Sequence, residues 1–231
     1  MKRSFLQLAL ASGLILCACS KDKAINPCAE TIDIGKFGLL EASKGFLPYE
    51  GVNKIILKRE TGDSLLLETR SFNTNFVPTT KELDCPEDGS FPAYYKYSSE
   101  WKDITLLNST KNIKIEIELM TEPYFPEIDE ATKIADVLTV AIEDPIREYV
   151  YYQLLSFYTA QREHPKPTIS EEQFLGSVEL NGQSFDYVYF EEKLFEVNGV
   201  MTNFQAYYTK NLGLIAFKDF EGHLWVFDRF E

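Results

Sequence analysis

Ser177-Val178-Glu179-Leu180-Asn181-Gly182-Gln183-Ser184-Phe185-Asp186-Tyr187-Val188-Tyr189-Phe190-Glu191 is the stretch that decides the fold class. Asn-Gly is the dipeptide that most readily supplies two consecutive residues with positive φ. Flanked by segments rich in Val, Tyr and Phe, it predicts a two-residue β-hairpin. Downstream, Phe204 to Thr209, Leu214 to Lys218 and His223 to Phe227 read as further strands. Asn211-Leu212-Gly213 and Asp219-Phe220-Glu221-Gly222 connect them, so the C-terminal third predicts a meander of about five strands.

The same signals recur upstream. Ile55-Ile56-Leu57 and Leu65-Leu66-Leu67 flank Thr61-Gly62-Asp63, a second hairpin. Ile113, Ile115, Ile117 and Leu119 alternate with Lys114, Glu116 and Glu118, the pattern of a strand with one wet face. Ile134 to Ile142 is more apolar and reads as a more buried strand that stops at Asp144-Pro145. Ile146 to Tyr158 fits both a helical and an alternating template; its Tyr and Val content favours strand. Arg162 to Thr168 reads as a Pro-containing loop, and Ile169 to Leu175 has room for one helical turn. No repeat period points to a solenoid or propeller. The expectation is a mostly-β chain: a single antiparallel, curved sheet, either a half-barrel or an open barrel, with little helix and a concave apolar face.

The N-terminus has a different character. Met1-Lys2-Arg3 is followed by an apolar run from Phe5 to Leu16 and then Cys17-Ala18-Cys19. A charged start and a short apolar core define a secretory leader, and the run is shorter than the roughly 20 apolar residues a membrane-spanning helix needs. This leader resembles a bacterial lipoprotein signal, in which a small residue precedes the acylated cysteine. Cys19 is the matching position, with Leu16 three residues before it and Ala18 just before it. The resemblance implies a leader over 1–18 and lipidation of Cys19; the polar residues Ser20 to Lys23 and Asn26-Pro27 read as a tether over 19–30, and the remaining length suits a single domain over 31–231. The resemblance also implies anchoring to the outer membrane through N-terminal acyl chains, since more than one chain is needed for stable attachment. Cys19-Ser20-Lys21-Asp22 partly resembles the export tag of Bacteroidota surface lipoproteins, with Lys23 interrupting the acidic run. Both the periplasmic leaflet and the cell surface therefore stay open.

Composition excludes some classes. Without Lys2 and Arg3 the chain carries 36 acids against 21 bases, a net charge of −15. That charge opposes binding to nucleic acid, which requires clustered Lys and Arg, and adsorption on anionic headgroups. Cys28 and Cys85 remain once Cys17 and Cys19 are set aside. They are a candidate disulfide that would stabilise by about 4 kcal/mol, or else two free thiols.

No catalytic or cofactor signature is present: no nucleophile elbow, no phosphate-binding loop, no paired histidines at metal spacing. His164 and His223 stand alone, so no metal and no cofactor is expected. Asp84 to Gly89 lacks the ligand spacing of a calcium loop, and Glu122, Glu127, Asp129 and Glu130 read as a solvated patch. Asp63-Ser64-Leu65 and Asn108-Ser109-Thr110 match short glycosylation patterns that occur by chance. Aromatics carry more information. Tyr94, Tyr95, Tyr97 and Trp101 cluster, as do Tyr207, Tyr208 and Trp225 in the C-terminal strands. On an exposed sheet face such residues contact a ligand; in an antiparallel core they are packing.

Tyr207-Tyr208-Thr209-Lys210, Gly213-Leu214-Ile215-Ala216-Phe217 and Gly222-His223-Leu224-Trp225 together resemble the ending of many small Bacteroidota lipoproteins of unknown function. With the leader, this gives the functional expectation of a non-catalytic, lipid-anchored binding or accessory protein with a glycan, lipid or protein partner. Two alternatives stand beside it: an envelope lipid or lipoprotein carrier using the concave face, and a polysaccharide-acting enzyme with an unrecognised carboxylate pair.

Overall fold

The computed structural model describes residues 32–82, 94–123, 134–147, 149–161 and 173–231. The leader and tether, Cys19, Cys28, Cys85, His164, the Asp84–Gly89 turn and all of the 169–175 segment before Gln173 lie outside them.

Among the described residues twelve strands run in chain order: β1 (Ile32–Phe37), β2 (Lys54–Lys58), β3 (Ser64–Glu82), β4 (Tyr94–Asn108), β5 (Ile113–Pro123), β6 (Ile134–Glu143), β7 (Tyr151–Gln161), β8 (Phe174–Leu180), β9 (Gln183–Val197), β10 (Val200–Thr209), β11 (Gly213–Lys218) and β12 (Leu224–Phe230). One four-residue helix, α1 (Glu41–Lys44), lies between β1 and β2. The strands form one sheet in the order β7-β6-β5-β4-β3-β2-β12-β11-β10-β9-β8, with β1 paired to β4 off that path. Every pairing is antiparallel except β1–β4, which is parallel. The sheet curls into a half-barrel, as the alternation of the sequence predicts.

Two sequence meanders, β2–β7 and β8–β12, are thus stitched into one sheet by β12 against β2, with Phe227 opposite Leu57 and Phe230 opposite Ile55. Both predicted hairpins form. Asn181 and Gly182 have φ of 48° and 74°, the two consecutive positive values that Asn-Gly supplies most cheaply. The continuous apolar runs of β2, β11 and β12 are buried on both faces. The β8–β9 hairpin contributes to this cover: its tip reaches back to β2, where Asn181 donates to the Lys58 carbonyl at 3.3 Å.

The interior is filled by the chain's own side chains. Leu57, Leu65, Leu67, Ile104, Leu106, Ile115, Ile117, Leu119, Leu138 and Val140 are fully buried. The stretch between β1 and β2 fills the curl: Leu39, Phe46, Leu47 and Tyr49 belong to the same core. Phe46 sits edge-on to Phe157 and Tyr189, which stack on each other at 4.2 Å between centroids. The Tyr49 hydroxyl accepts the Leu214 N–H at 2.6 Å, and the Tyr208 hydroxyl donates to the Phe46 carbonyl. Gly213 permits this: a Cβ there would lie 2.0 Å from the Tyr49 oxygen. The concave face expected to receive a ligand is therefore core.

The strand expected over Ile146–Tyr158 starts only at Tyr151. Before it, buried Asp144 accepts the N–H groups of Ile146 and Arg147 at 2.8 and 2.9 Å and the Arg147 guanidinium at 2.8 Å. Those bonds fix a turn that competes with the strand. Burial pushes the Asp144 carboxyl up, but these donors outweigh it and hold the group well below the usual carboxylate range.

Asp219 plays the same part in the β11–β12 turn. One oxygen accepts Glu221 N at 3.0 Å and His223 N at 2.9 Å; the other accepts Nε1 of the fully buried Trp225 at 2.7 Å. Replacing Asp219 by Ala orphans a buried indole N–H and two turn amides, so the expected loss is about 2–4 kcal/mol. Asp219→Asn, which retains an acceptor oxygen, should lose less. Urea unfolding followed by tryptophan fluorescence measures both.

Candidate functional site

Register places the most coherent surface of the molecule on the outer face of β4–β7. Residues directly opposite one another in a sheet share a face. Trp101 lies opposite Met120, Met120 opposite Val137, and Val137 opposite Tyr158. These four side chains form an apolar row across four strands. The next row on the same face runs Asn73, Asp103, Glu118, Thr139, Ser156. Ile117 and Leu119, which flank Glu118, point to the opposite face and are fully buried, so both rows face outward. The row residues of β4 to β7 are half-buried.

A groove of about 570 Å³ follows the β5–β7 part of these rows, lined by Glu118, Met120, Glu122, Val137, Thr139, Gln153, Ser156, Phe157, Tyr158 and Gln173; Trp101 and Asp103 of β4 lie beside it on the same face. Its volume lies within the roughly 300–1,000 Å³ usual for small-molecule sites. One wall is the seam where edge strand β7 meets β9. Among the described residues no backbone ladder spans that gap; side chains span it instead. The Ser156 N–H donates to Glu191 Oε2 at 3.1 Å, and Gln173 Nε2 donates to the Ser156 carbonyl at 3.1 Å and to Glu191 at 3.3 Å. Thr139 and Ser156 hydroxyls are 3.4 Å apart.

Glu118 is the electrostatic centre. Burial pushes its carboxyl up, and the neighbouring Glu116 and Asp103 charges push it further, to about 7. Asp103 lies directly opposite, a like-charge pair that costs stability in a sheet, and its carboxylate accepts the Asn73 amide at 2.9 Å. Glu116 is paired with Lys114 at 3.0 Å. Among the described residues, no lysine, arginine or histidine lines the groove.

The residues singled out from sequence separate into two groups. Trp101 stands at the end of the apolar row, and its Nε1 is buried with no hydrogen-bond partner among the described residues. Tyr94 and Tyr95 begin β4 on the arm paired with β3 and β1. Tyr97 is buried, its hydroxyl pushed up to about 12 chiefly by burial. Tyr208 and Trp225 are fully buried and Tyr207 nearly so; these three serve the core and offer no surface to a ligand. Glu122, expected in a solvated patch, lies on β5 and lines the groove; its companions lie outside the described residues. Met120, Val137, Thr139, Ser156 and Gln173 escaped the sequence reading, because only cross-strand register brings them together.

Other groups are less coherent. Asp219, Glu221 and His223 place three potential ligand atoms within 4.8 Å of one another, which a search for a second His or Cys did not detect. The Asp219 oxygens are already occupied by the turn and by Trp225. Ile146 and Tyr149 protrude from the β6–β7 loop, and Leu194, Val200 and Met201 from the β9–β10 hairpin. Tyr149 has φ of 64°, its N–H held by Glu143 at 2.9 Å. Among the described residues, no helix is long and apolar enough to cross a membrane.

No family model, curated protein or solved structure matches this chain.

The sign of the Glu118 effect is testable. A carboxyl raised from 4.5 to about 7 on folding binds more protons folded than unfolded between those values, so stability falls as pH rises through that window. Discounted for its partial exposure, the ionisation penalty is about 1–2 kcal/mol. Glu118→Gln is therefore expected to be more stable than the parent by that amount at pH 8 and nearly equal to it at pH 4. Denaturant midpoints at the two pH values measure the difference.

Proposed function

We propose that this chain is a lipid-anchored, non-catalytic binding protein of a bacterial envelope, acting through the outer face of its sheet. The observation that carries the reading is the filled interior. A lipid or lipoprotein carrier needs an apolar cavity, and here Leu39, Phe46, Leu47 and Tyr49 occupy the inside of the curl. Binding is left to the surface, where the β5–β7 groove supplies hydroxyls and amides beside the apolar row of the β4–β7 face. The leader ending at Cys19 supports the anchor.

A second reading, a polysaccharide hydrolase, draws on one observation: Glu118, with its raised carboxyl, faces Asp103 across one strand pair. Against it, hydrolysis of a glycosidic bond requires carboxyls on either side of the bond, about 5–10 Å apart. Asp103 and Glu118 stand side by side on one wall. Glu122 lies four residues along the same strand from Glu118, about 13 Å at the rise of a β-strand.

Cys19→Ala is expected to move the protein from the membrane fraction to the soluble fraction and to abolish incorporation of radiolabelled palmitate. Unchanged membrane association would defeat the anchored reading. Turnover of a broad glycan and ester panel at enzymatic rates, lost in Glu118→Gln, would replace binding by hydrolysis.

A further inference from the structure

We propose that the two rows on the outer face of β4–β7 form a binding site for a neutral oligosaccharide lying across the strands. The inference rests on the binding reading above and names its ligand class.

The geometry argues for this ligand in three ways. First, Trp101, Met120, Val137 and Tyr158 span three strand spacings, about 14 Å, a narrow apolar platform suited to the C–H faces of a short chain of sugar rings. Aromatic side chains at its two ends offer flat faces with polar edges. Second, the parallel row beside it presents two carboxylates followed by two hydroxyls: Asp103, Glu118, Thr139 and Ser156. Gln153 and Gln173 add amides that both donate and accept. A polyol offers many O–H groups beside a C–H surface, and this pairing of rows matches both. Third, the charge selects against anionic ligands. With no cation among the described lining residues, a phosphate or carboxylate would face Glu118 and Glu122 without compensation.

The platform is also preorganised. Its strands are locked by continuous ladders on β4, β5 and β6, and the β7 edge is held by Glu191 and Gln173 through the Ser156 backbone. Little conformational freedom is lost when a ligand settles there.

The test uses the full chain, purified in a detergent without a sugar headgroup, and calorimetric titration with defined probes. Cellohexaose, maltohexaose, xylohexaose and mannohexaose are the neutral set; glucosamine hexamer and hexagalacturonate are the cationic and anionic controls. At least one neutral hexaose is expected to bind with a dissociation constant between about 1 μM and 1 mM, and to shift tryptophan emission. The chain has two tryptophans; Trp225 is fully buried, so Trp101 is the responding one. Trp101→Ala should weaken binding at least tenfold. Thr139→Val, a near-isosteric change that removes one hydroxyl of the polar row, should weaken it several-fold while leaving the denaturation midpoint close to the parent. Tyr187→Ala, at an exposed position away from the rows, should bind as the parent does.

Binding of the glucosamine hexamer alone would overturn the neutral assignment in favour of a cationic ligand. Binding of hexagalacturonate alone, or of a neutral hexaose with Trp101→Ala and Thr139→Val both unaffected, would overturn the site. Absence of binding to any probe would overturn the oligosaccharide proposal while leaving the non-catalytic reading in place; cleavage of a bound hexaose would do the reverse.

Discussion

The packing of residues 39–49 inside the curl is the contact on which the rest of the structure depends. A twelve-stranded sheet that bends this strongly must fill its concavity or leave a costly void. Phe46 does so by meeting Phe157 of β7 and Tyr189 of β9 at once. These two strands are remote in the sheet order, and the shared aromatic contact draws them together. Only then do Glu191 and Gln173 reach the Ser156 backbone. The seam, the shape of the groove beside it and the inaccessibility of the interior are therefore consequences of one buried segment. The hydroxyls of Tyr49 and Tyr208 tie that segment to β10 and β11, so its position is set by hydrogen bonds as well as by shape.

Much of the fold is legible locally. Asn181-Gly182 and Thr61-Gly62-Asp63 specify their hairpins because backbone conformation at a tight turn is decided by the residues in it. The alternation from Ile113 to Leu119 specifies β5 because one face of that strand is dry and the other is wet. The continuous runs at Ile55-Ile56-Leu57 and Leu214 to Phe217 belong to strands covered on both sides. Where reading failed, hydrogen bonds and packing outside the alternation pattern decided. Ile146 to Val150 has strand-forming composition, yet Asp144 captures its amides. Tyr208 and Trp225 have the composition of a binding surface, yet the curl turns them inward, and Tyr207 on the other face of β10 is covered by Phe190 of β9. Nothing in the stretch from Leu39 to Tyr49 announces a plug, because its role is defined by strands that come much later.

The candidate site was legible only at one end. Trp101 was visible as a tryptophan near other aromatics. Met120, Val137 and Tyr158 belong with it solely because β5, β6 and β7 pair in a particular register, and a slip of one residue in any strand would scatter them to opposite faces. The same holds for Glu118: in sequence it is one polar residue in an alternating strand, and its raised carboxyl arises first from burial, then from Glu116 on its own strand and Asp103 across the ladder. A sheet face is a two-dimensional arrangement, and a linear reading sees one dimension of it.

The junction between β2 and β12 bears on how the molecule is made. The strand that completes the N-terminal half comes from residues 224–230, and the backbone of Glu231 exchanges hydrogen bonds with Asn53 and Lys54. During synthesis, β2 waits with one edge unpaired until about 170 further residues have arrived. Pairings of such sequence separation make for slow folding. In the interval the exposed edge and the apolar Ile55-Ile56-Leu57 run are open to association with other chains, so the step most in need of a chaperone falls before β12 emerges.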